Sequence, residues 1–349
     1  MSKFNRLLLL FLIPILLLSG CSTTPKKEKF SASFIGPFDT ATQIIGYETN
    51  EKEFSKKVAT LEEELNHYHK LYDIYNEYDG INNLKTVNDN AGIAPVKVEK
   101  EIIDLLEFSI ELYNKTNKQV NIALGSVLSI WHEYRTHGIS SPTNAALPDM
   151  DVLKDASAHT DISKIIIDKE ASTVFLEDSN MSLDVGSIGK GYAVQCVADN
   201  ARKQGFSNYL ISVGGNVVTI DSKPDGQLWR LAIQNPDLTS DVSYVKKVDF
   251  KDQCLVTSGD YQRYYVVDGK EYCHIIDPDT LMPADYFKSV SIITAHSGLA
   301  DALSTALFNM EYEEGLALIN SIEGAEAMWI LEDGSIQYSD NFEQYVVAE

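Results

Sequence analysis

From Leu228 to Thr294 the sequence is almost continuously strand-like, and strand follows strand without helical signals between them. Turn dipeptides at Asp225-Gly226 and Asp268-Gly269 mark hairpins there, because the turns that join antiparallel strands need residues tolerant of positive φ. A doubly wound parallel sheet needs helical crossovers between successive strands. This chain is therefore expected to build antiparallel sheets with its helices packed apart from them, an α+β fold. Phe54, Val58, Leu61, Leu65, Tyr68 and Leu71 recur at spacings of three and four, so 51–73 reads as an amphipathic helix. Ile102, Leu105, Leu106 and Leu112 mark a second helix over 98–117. A third opens near Ile188 and ends by Gly205, a residue suited to the left-handed C′ position. A fourth spans 298–310. Short strands are expected at 164–168, 173–176 and 209–213, with a closing pair around Asp333-Gly334. Residues 74–96, rich in Asn, Asp and Gly, read as a loop, and 135–160 as a long surface excursion. No linker divides the chain, so 34–349 reads as a single compact unit.

The N-terminus reads as a targeting segment. Lys3 and Arg6 precede an apolar run, Leu7 to Leu18, too short for a comfortable membrane span and suited to a signal peptide. Leu18-Ser19-Gly20-Cys21 follows, and small residues before a cysteine resemble a bacterial lipobox. That implies removal of 1–20 and lipidation of Cys21; an ordinary signal peptide with an incidental cysteine is the alternative. Residues 21–33 are polar, carry a lysine cluster and read as a flexible tether. The expected location is the cell membrane, lipid-anchored on its extracytoplasmic face.

The 349 residues include 29 Lys+Arg and 51 Asp+Glu, a formal net charge of −22. Such acidity argues against a nucleic-acid partner, because phosphate backbones want a basic surface. Cys196, Cys254 and Cys273 form no CxxC, so they support neither a zinc ribbon nor a thioredoxin site. They allow at most one disulfide, with Cys254 and Cys273 a possible pair, and read best as small buried hydrophobes.

Four segments carry chemistry. Asp184-Val185-Gly186-Ser187-Ile188-Gly189-Lys190-Gly191-Tyr192 joins a strand-like stretch to a helix. Its glycines let backbone N–H groups approach an anion at a helix N-terminus, and Lys190 adds a phosphate donor. A plain glycine-rich turn explains the same letters. Gly214-Gly215-Asn216 follows a strand and permits close backbone contact with a ligand, or is a simple turn. Thr257-Ser258-Gly259-Asp260-Tyr261 precedes His274-Ile275-Ile276-Asp277-Pro278, where His274 suits a general base or a structural role and Asp277 could orient or compete with it. Asp301 and Thr305 lie four residues apart on one helix face, a carboxylate and a hydroxyl suited to Mg²⁺. A capping Asp beside a buried Thr is the simpler alternative.

Together, DVGSIGKGYA, SVGGNV, TSGDYQRYY, HIIDP and ADALSTALF resemble the signature blocks of the FAD:protein FMN transferase (ApbE) family, over about residues 34–340. The resemblance implies an α+β fold of the T-fold type and a lipoprotein member. It implies FAD as substrate with Mg²⁺ at its pyrophosphate. FMN would pass to a Thr or Ser hydroxyl of an acceptor electron-transfer protein, and AMP would leave. By resemblance, Asp301 and Thr305 are the metal's side-chain ligands, Ser187 offers it a carbonyl, and His274 is the catalytic base. Asp184, Gly186, Lys190, Gly214, Gly215, Asn216, Ser258, Gly259 and Asp277 would shape the FAD site. Tyr75 would supply the tyrosine near the adenine or flavin, on a loop before Asn88 that is longer than the common family spacing. No segment resembles the acceptor motif D-x-x-[ST]-G-A-[ST], so the expected target is another protein. An FAD pyrophosphatase, giving FMN and AMP, and a non-catalytic FAD-binding lipoprotein are the alternatives. A transporter's substrate-binding lipoprotein would need alternating βα units, which the β-rich second half lacks.

Overall fold

A computed structural model describes residues 26–348. The expected signal peptide, Cys21 with its expected lipidation, and the start of the expected tether lie outside the described residues. In chain order the elements are β1 (Glu28–Ile35), β2 (Ala41–Glu48), α1 (Glu51–Tyr72), α2 (Leu84–Asp89), β3 (Val96–Lys97), α3 (Lys100–Lys115), α4 (Gly125–Ser140) and α5 (Met150–Ser157). Then come β4 (Ile165–Asp168), β5 (Thr173–Leu176), α6 (Gly189–Lys203), β6 (Tyr209–Val213), β7 (Asn216–Ile220), β8 (Trp229–Gln234) and β9 (Tyr244–Phe250). The chain closes with β10 (Cys254–Gly259), β11 (Tyr264–Val267), β12 (Lys270–Cys273), β13 (Phe287–Thr294), α7 (Ser297–Phe308), α8 (Tyr312–Asn320), β14 (Glu326–Leu331) and β15 (Ile336–Tyr338).

One sheet of eight strands, in the order β1-β2-β6-β7-β10-β13-β14-β15, organises the molecule. All its pairings are antiparallel. Its central strands are apolar on both sides, and alternation assigns each side chain to a face. Ile211, Val213, Val218, Cys254, Val256, Ile292 and Trp329 face the main core with α1, α3, α6 and α7. Leu210, Leu255, Ile293, Met328 and Ile330 face the other way, onto the β8–β9 hairpin and Phe342. A third cluster joins α4 (Val127, Trp131), Leu153 of α5 and Tyr265 and Val267 of β11. Among the described residues no helix is long and apolar enough to cross a membrane.

Local chemistry sets the helix ends. Asn50 Oδ1 accepts the Glu53 N–H at 3.0 Å to open α1. α6 stops before Gly205, which holds φ 80°. At Asp268-Gly269 both residues have positive φ (49° and 84°), and Val267 pairs directly with Lys270, a two-residue hairpin turn.

Four expectations are corrected. The tether read over 21–33 overlaps β1, which starts at Glu28. Strand pairing with β2 orders it, Lys27 Nζ donates to Asn208 Oδ1 at 2.7 Å, and Phe30 stacks on Phe54 at 5.6 Å. Asp225-Gly226 is a turn, but β7 and β8 do not pair; the flanking hairpin is β8–β9. The 74–96 loop contains α2, capped by Asn83 accepting from the Thr86 N–H at 3.1 Å. The surface excursion of 135–160 holds the end of α4 and all of α5. Cys196, Cys254 and Cys273 are all free thiols, with the latter two buried.

Candidate active site

A cleft of about 330 Å³ opens where the Gly36–Thr40 turn, the Gly214-Gly215 turn and the C-terminal end of β10 meet the start of α6, α7 and α4. Asp184, Gly186, Ser187, Lys190, Gly214, Ser258, Gly259, His274, Asp301, Thr305 and Tyr75 all line it. Segments far apart in sequence are thus brought to one place.

The α6–α7 wall is set by close helix packing. A Cβ on Gly191 would lie 2.4 Å from the Ser297 carbonyl oxygen and 2.5 Å from the Asp301 Cβ, so only glycine allows this approach. The approach lets the Gly191 N–H donate to Asp301 Oδ2 at 2.7 Å. Asn216 Nδ2 donates to Asp301 Oδ1 at 3.2 Å, and its Oδ1 accepts from Lys190 Nζ at 2.9 Å, so Asn216 bridges the two charges. Lys190 Nζ also donates to the Gly214 carbonyl at 3.4 Å. Gly214 stands at φ 51°, where a Cβ would meet Thr40 Oγ1 at 2.5 Å. Burial pushes the Asp301 carboxyl up and the Lys190 ammonium down, and each charge opposes the other's shift.

One turn along α7, Thr305 Oγ1 lies 3.5 Å from Ser258 Oγ, which pairs with Ser304 Oγ at 2.8 Å. The Asp301 carboxylate, the Thr305 hydroxyl and Ser187 present hard oxygen donors to one cleft. Asp301 keeps lone pairs beyond the two it uses for Gly191 and Asn216. This donor set fits a hard divalent cation, which takes few protein ligands and completes its shell with phosphate and water.

The opposite wall is built by α4 and the β10–β12 region. His274 follows β12, and its Nδ1 is buried with no hydrogen-bond partner. Burial, then the nearby Arg263, Arg135 and Lys190 cations, bring its pKa down to about 3, so the imidazole is neutral at physiological pH. Arg135 Nη2 lies 3.1 Å from His132 Nδ1. Among the described residues the ion-paired arginines are Arg202 and Arg230; Arg135 and Arg263 have no carboxylate at ion-pairing distance. Asp184 accepts the Gly186 N–H at 2.7 Å, and burial pushes its carboxyl up. Tyr75, largely exposed, lies over the His132 ring at 5.3 Å between centroids.

Three expected site residues stand apart from the cleft lining. Asp277 is buried, and its carboxylate accepts the Asp279 N–H at 2.8 Å and the Thr280 hydroxyl at 2.9 Å. It shapes its own turn rather than facing a ligand or orienting His274. Gly215, at φ 89°, belongs to the β6–β7 turn. Asn216 is buried behind Lys190 and Asp301 and acts through them. Sequence reasoning missed Arg135, Arg263, His132, Trp131 and His69, all of which line the cleft. Arg263 lies inside the TSGDYQRYY block, the one local signal that could have flagged it.

Cationic groups, hard oxygen donors and a neutral histidine in one cleft define a site for a phosphate-bearing ligand and for proton transfer beside it. The family model that matches the chain is the ApbE family, over residues 38–329. This protein belongs to the ApbE family. The FAD:protein FMN transferase of Treponema pallidum is 32% identical over 270 residues, covering 73% of this chain and 72% of that protein. The FAD:protein FMN transferase of Vibrio cholerae is 28% identical over 344 residues, 97% of this chain and 96% of that protein. In fold, the crystal structure of the ApbE protein from Thermotoga maritima superposes with a TM-score of 0.80 at 24% identity, covering 92% of this chain and 100% of that one.

Proposed function

We propose that this protein is a Mg²⁺-dependent flavin transferase that moves FMN from FAD onto a Thr or Ser hydroxyl of an acceptor protein and releases AMP. The observation that carries the reading is the joint placement of Asp301, Lys190 and His274 in one cleft of an ApbE-family chain. The acceptor oxygen bonds to the FMN phosphorus, the bond from that phosphorus to the AMP oxygen breaks, and the hydroxyl proton passes to His274. Asp301, Thr305 and the Ser187 carbonyl would hold Mg²⁺, which neutralises charge on the pyrophosphate when bound. Lys190, steadied by Asn216, donates to a phosphate oxygen. Arg135 and Arg263 supply positive charge beside it in an otherwise acidic protein. Phosphate charge in the cleft would also counter the cations that depress His274, and so raise its affinity for the incoming proton. The lipobox-like segment at 18–21 supports anchorage at the extracytoplasmic face, with electron-transfer proteins on that side as acceptors.

The test uses the chain from Ser22 with FAD, Mg²⁺ and an FMN-binding domain carrying an acceptor threonine, read by intact mass. A gain of FMN minus water with stoichiometric AMP supports the reading. AMP and free FMN without a gain would favour a pyrophosphatase. Bound FAD with no AMP would leave only a binding protein.

A further inference from the structure

The outer end of the cleft is made by two irregular segments, the Gly36–Thr40 turn and the loop after α1. Phe38 and Asp39 are consecutive non-glycine residues at φ 57° and 50°, a region L side chains rarely enter. Such a turn persists only where surroundings hold it. His69, in the last turn of α1, touches both segments. Its Nδ1 accepts the Phe38 N–H at 3.1 Å, and its ring meets the Phe38 ring edge-on, 5.7 Å away at 79°. An accepting Nδ1 puts the proton of the neutral ring on Nε2. Nε2 then donates to the Tyr78 hydroxyl at 3.3 Å, and Tyr78 donates to Asp73 Oδ2 at 2.7 Å. Asp73 Oδ1 accepts the backbone N–H of Tyr75 at 2.7 Å and of Asn76 at 3.1 Å. Each link has one direction, and the chain runs unbroken from the Phe38 backbone to the Tyr75 backbone. Phe38, Asp39, His69, Asp73 and Tyr75 all line the cleft.

We propose that this relay through His69, Tyr78 and Asp73 ties the two segments at the cleft mouth into one wall, with His69 as its positioning residue. It sets how firmly an aromatic ring of the bound dinucleotide is held, and it leaves the chemistry to the inner cleft. The assignment rests on the flavin reading of the cleft. Tyr78 sits on the loop between α1 and α2.

His69→Phe keeps a ring and removes both nitrogens. It raises KM for FAD about tenfold and leaves kcat within about twofold, the size expected for losing a partly buried hydrogen bond. Tyr78→Phe gives a smaller rise in the same direction. The double variant is no worse than His69→Phe, because both cut one relay. His69→Asn, whose amide oxygen can stand in for Nδ1, recovers part of the loss. Amide hydrogen exchange on the protein alone reads the same coupling without FAD. Tyr78→Phe speeds exchange in residues 36–40, to which that side chain makes no hydrogen bond; its partners are His69 and Asp73. Unchanged exchange there, additive KM effects, or kcat falling as much as KM rises would overturn the proposal. A wild-type protein that binds no FAD would sink the flavin reading alone, and the exchange result would still decide the relay.

Discussion

The two walls of the cleft handle charge in opposite ways. On the α6–α7 wall, Asp301 is met by the Gly191 N–H and by Asn216, and Asn216 in turn holds Lys190. These partners come from packed helices and a tight turn. On the α4–β12 wall, Arg135 and Arg263 have no carboxylate at ion-pairing distance among the described residues, and His274 Nδ1 has no hydrogen-bond partner among them. Buried polar atoms are normally paired, and His274 Nδ1 is an exception beside the Arg135 and Arg263 cations. The first wall fixes its charges through partners within the protein; the second holds two arginines that, among the described residues, form no ion pair.

This contrast can be broken. The largest effect is expected at Asp301. Asp301→Asn keeps the shape but removes the carboxylate that offers a metal ligand and balances Lys190. AMP release falls by about three orders of magnitude, near the upper range for losing one preorganised electrostatic group, and the remaining rate no longer responds to Mg²⁺. Unchanged turnover with intact metal dependence would remove Asp301 from the metal site. Next comes Asn216→Ala, which touches no ligand but frees Lys190 from Asp301. Losing that bridge lowers kcat/KM about ten- to a hundredfold, as for a buried hydrogen bond to charged partners, with steady-state kinetics as the check. An unaffected kcat/KM would show that the inner wall needs no such brace.

The smallest effect sharpens the other wall and concerns stability. His274 titrates near 3 when folded, below the roughly 6.5 of an unfolded histidine. As pH falls from about 6.5 towards 3, the unfolded chain takes up a proton that the folded one refuses, so stability drops. Above that window both states are neutral and the loss vanishes. In denaturant melts, His274→Gln therefore gains on the wild type as pH falls through that range. Parallel profiles for the two proteins would mean His274 is not held in this cationic, buried setting.

Much of the α6–α7 wall was legible in the sequence; of the other wall Ser258, Gly259 and His274 were, and Arg135 and Arg263 were not. DVGSIGKGYA announces a glycine-rich helix start, and Asp301 and Thr305 announce a shared face, because both signals are local. The apolar spacing from Phe54 to Leu71 likewise gave α1 directly, since a helix writes its buried stripe into consecutive turns. α4 was missed because Val127 and Trp131 bury against β11 and α5, elements distant in sequence, while the Ser-, Thr-, Pro-, Asn- and Ala-rich stretch 135–160 made its end look like a surface excursion. Arg135 and Arg263 meet only through tertiary packing. Asp277 was named with the HIIDP block and not from its own surroundings. The run Asp277-Pro278-Asp279-Thr280 is itself a turn signal that uses the carboxylate locally.

The most direct measurement separates binding from chemistry at the α4–β12 wall. FAD affinity and single-turnover AMP release are measured on the wild type and on His274→Ala, with Mg²⁺ and a flavin acceptor domain present. If the inner wall binds and His274 moves the proton, FAD affinity stays within about threefold while AMP release slows by roughly two to four orders of magnitude. If FAD affinity collapses in step with the rate, His274 is part of the binding wall, and the division of labour between the two walls is wrong.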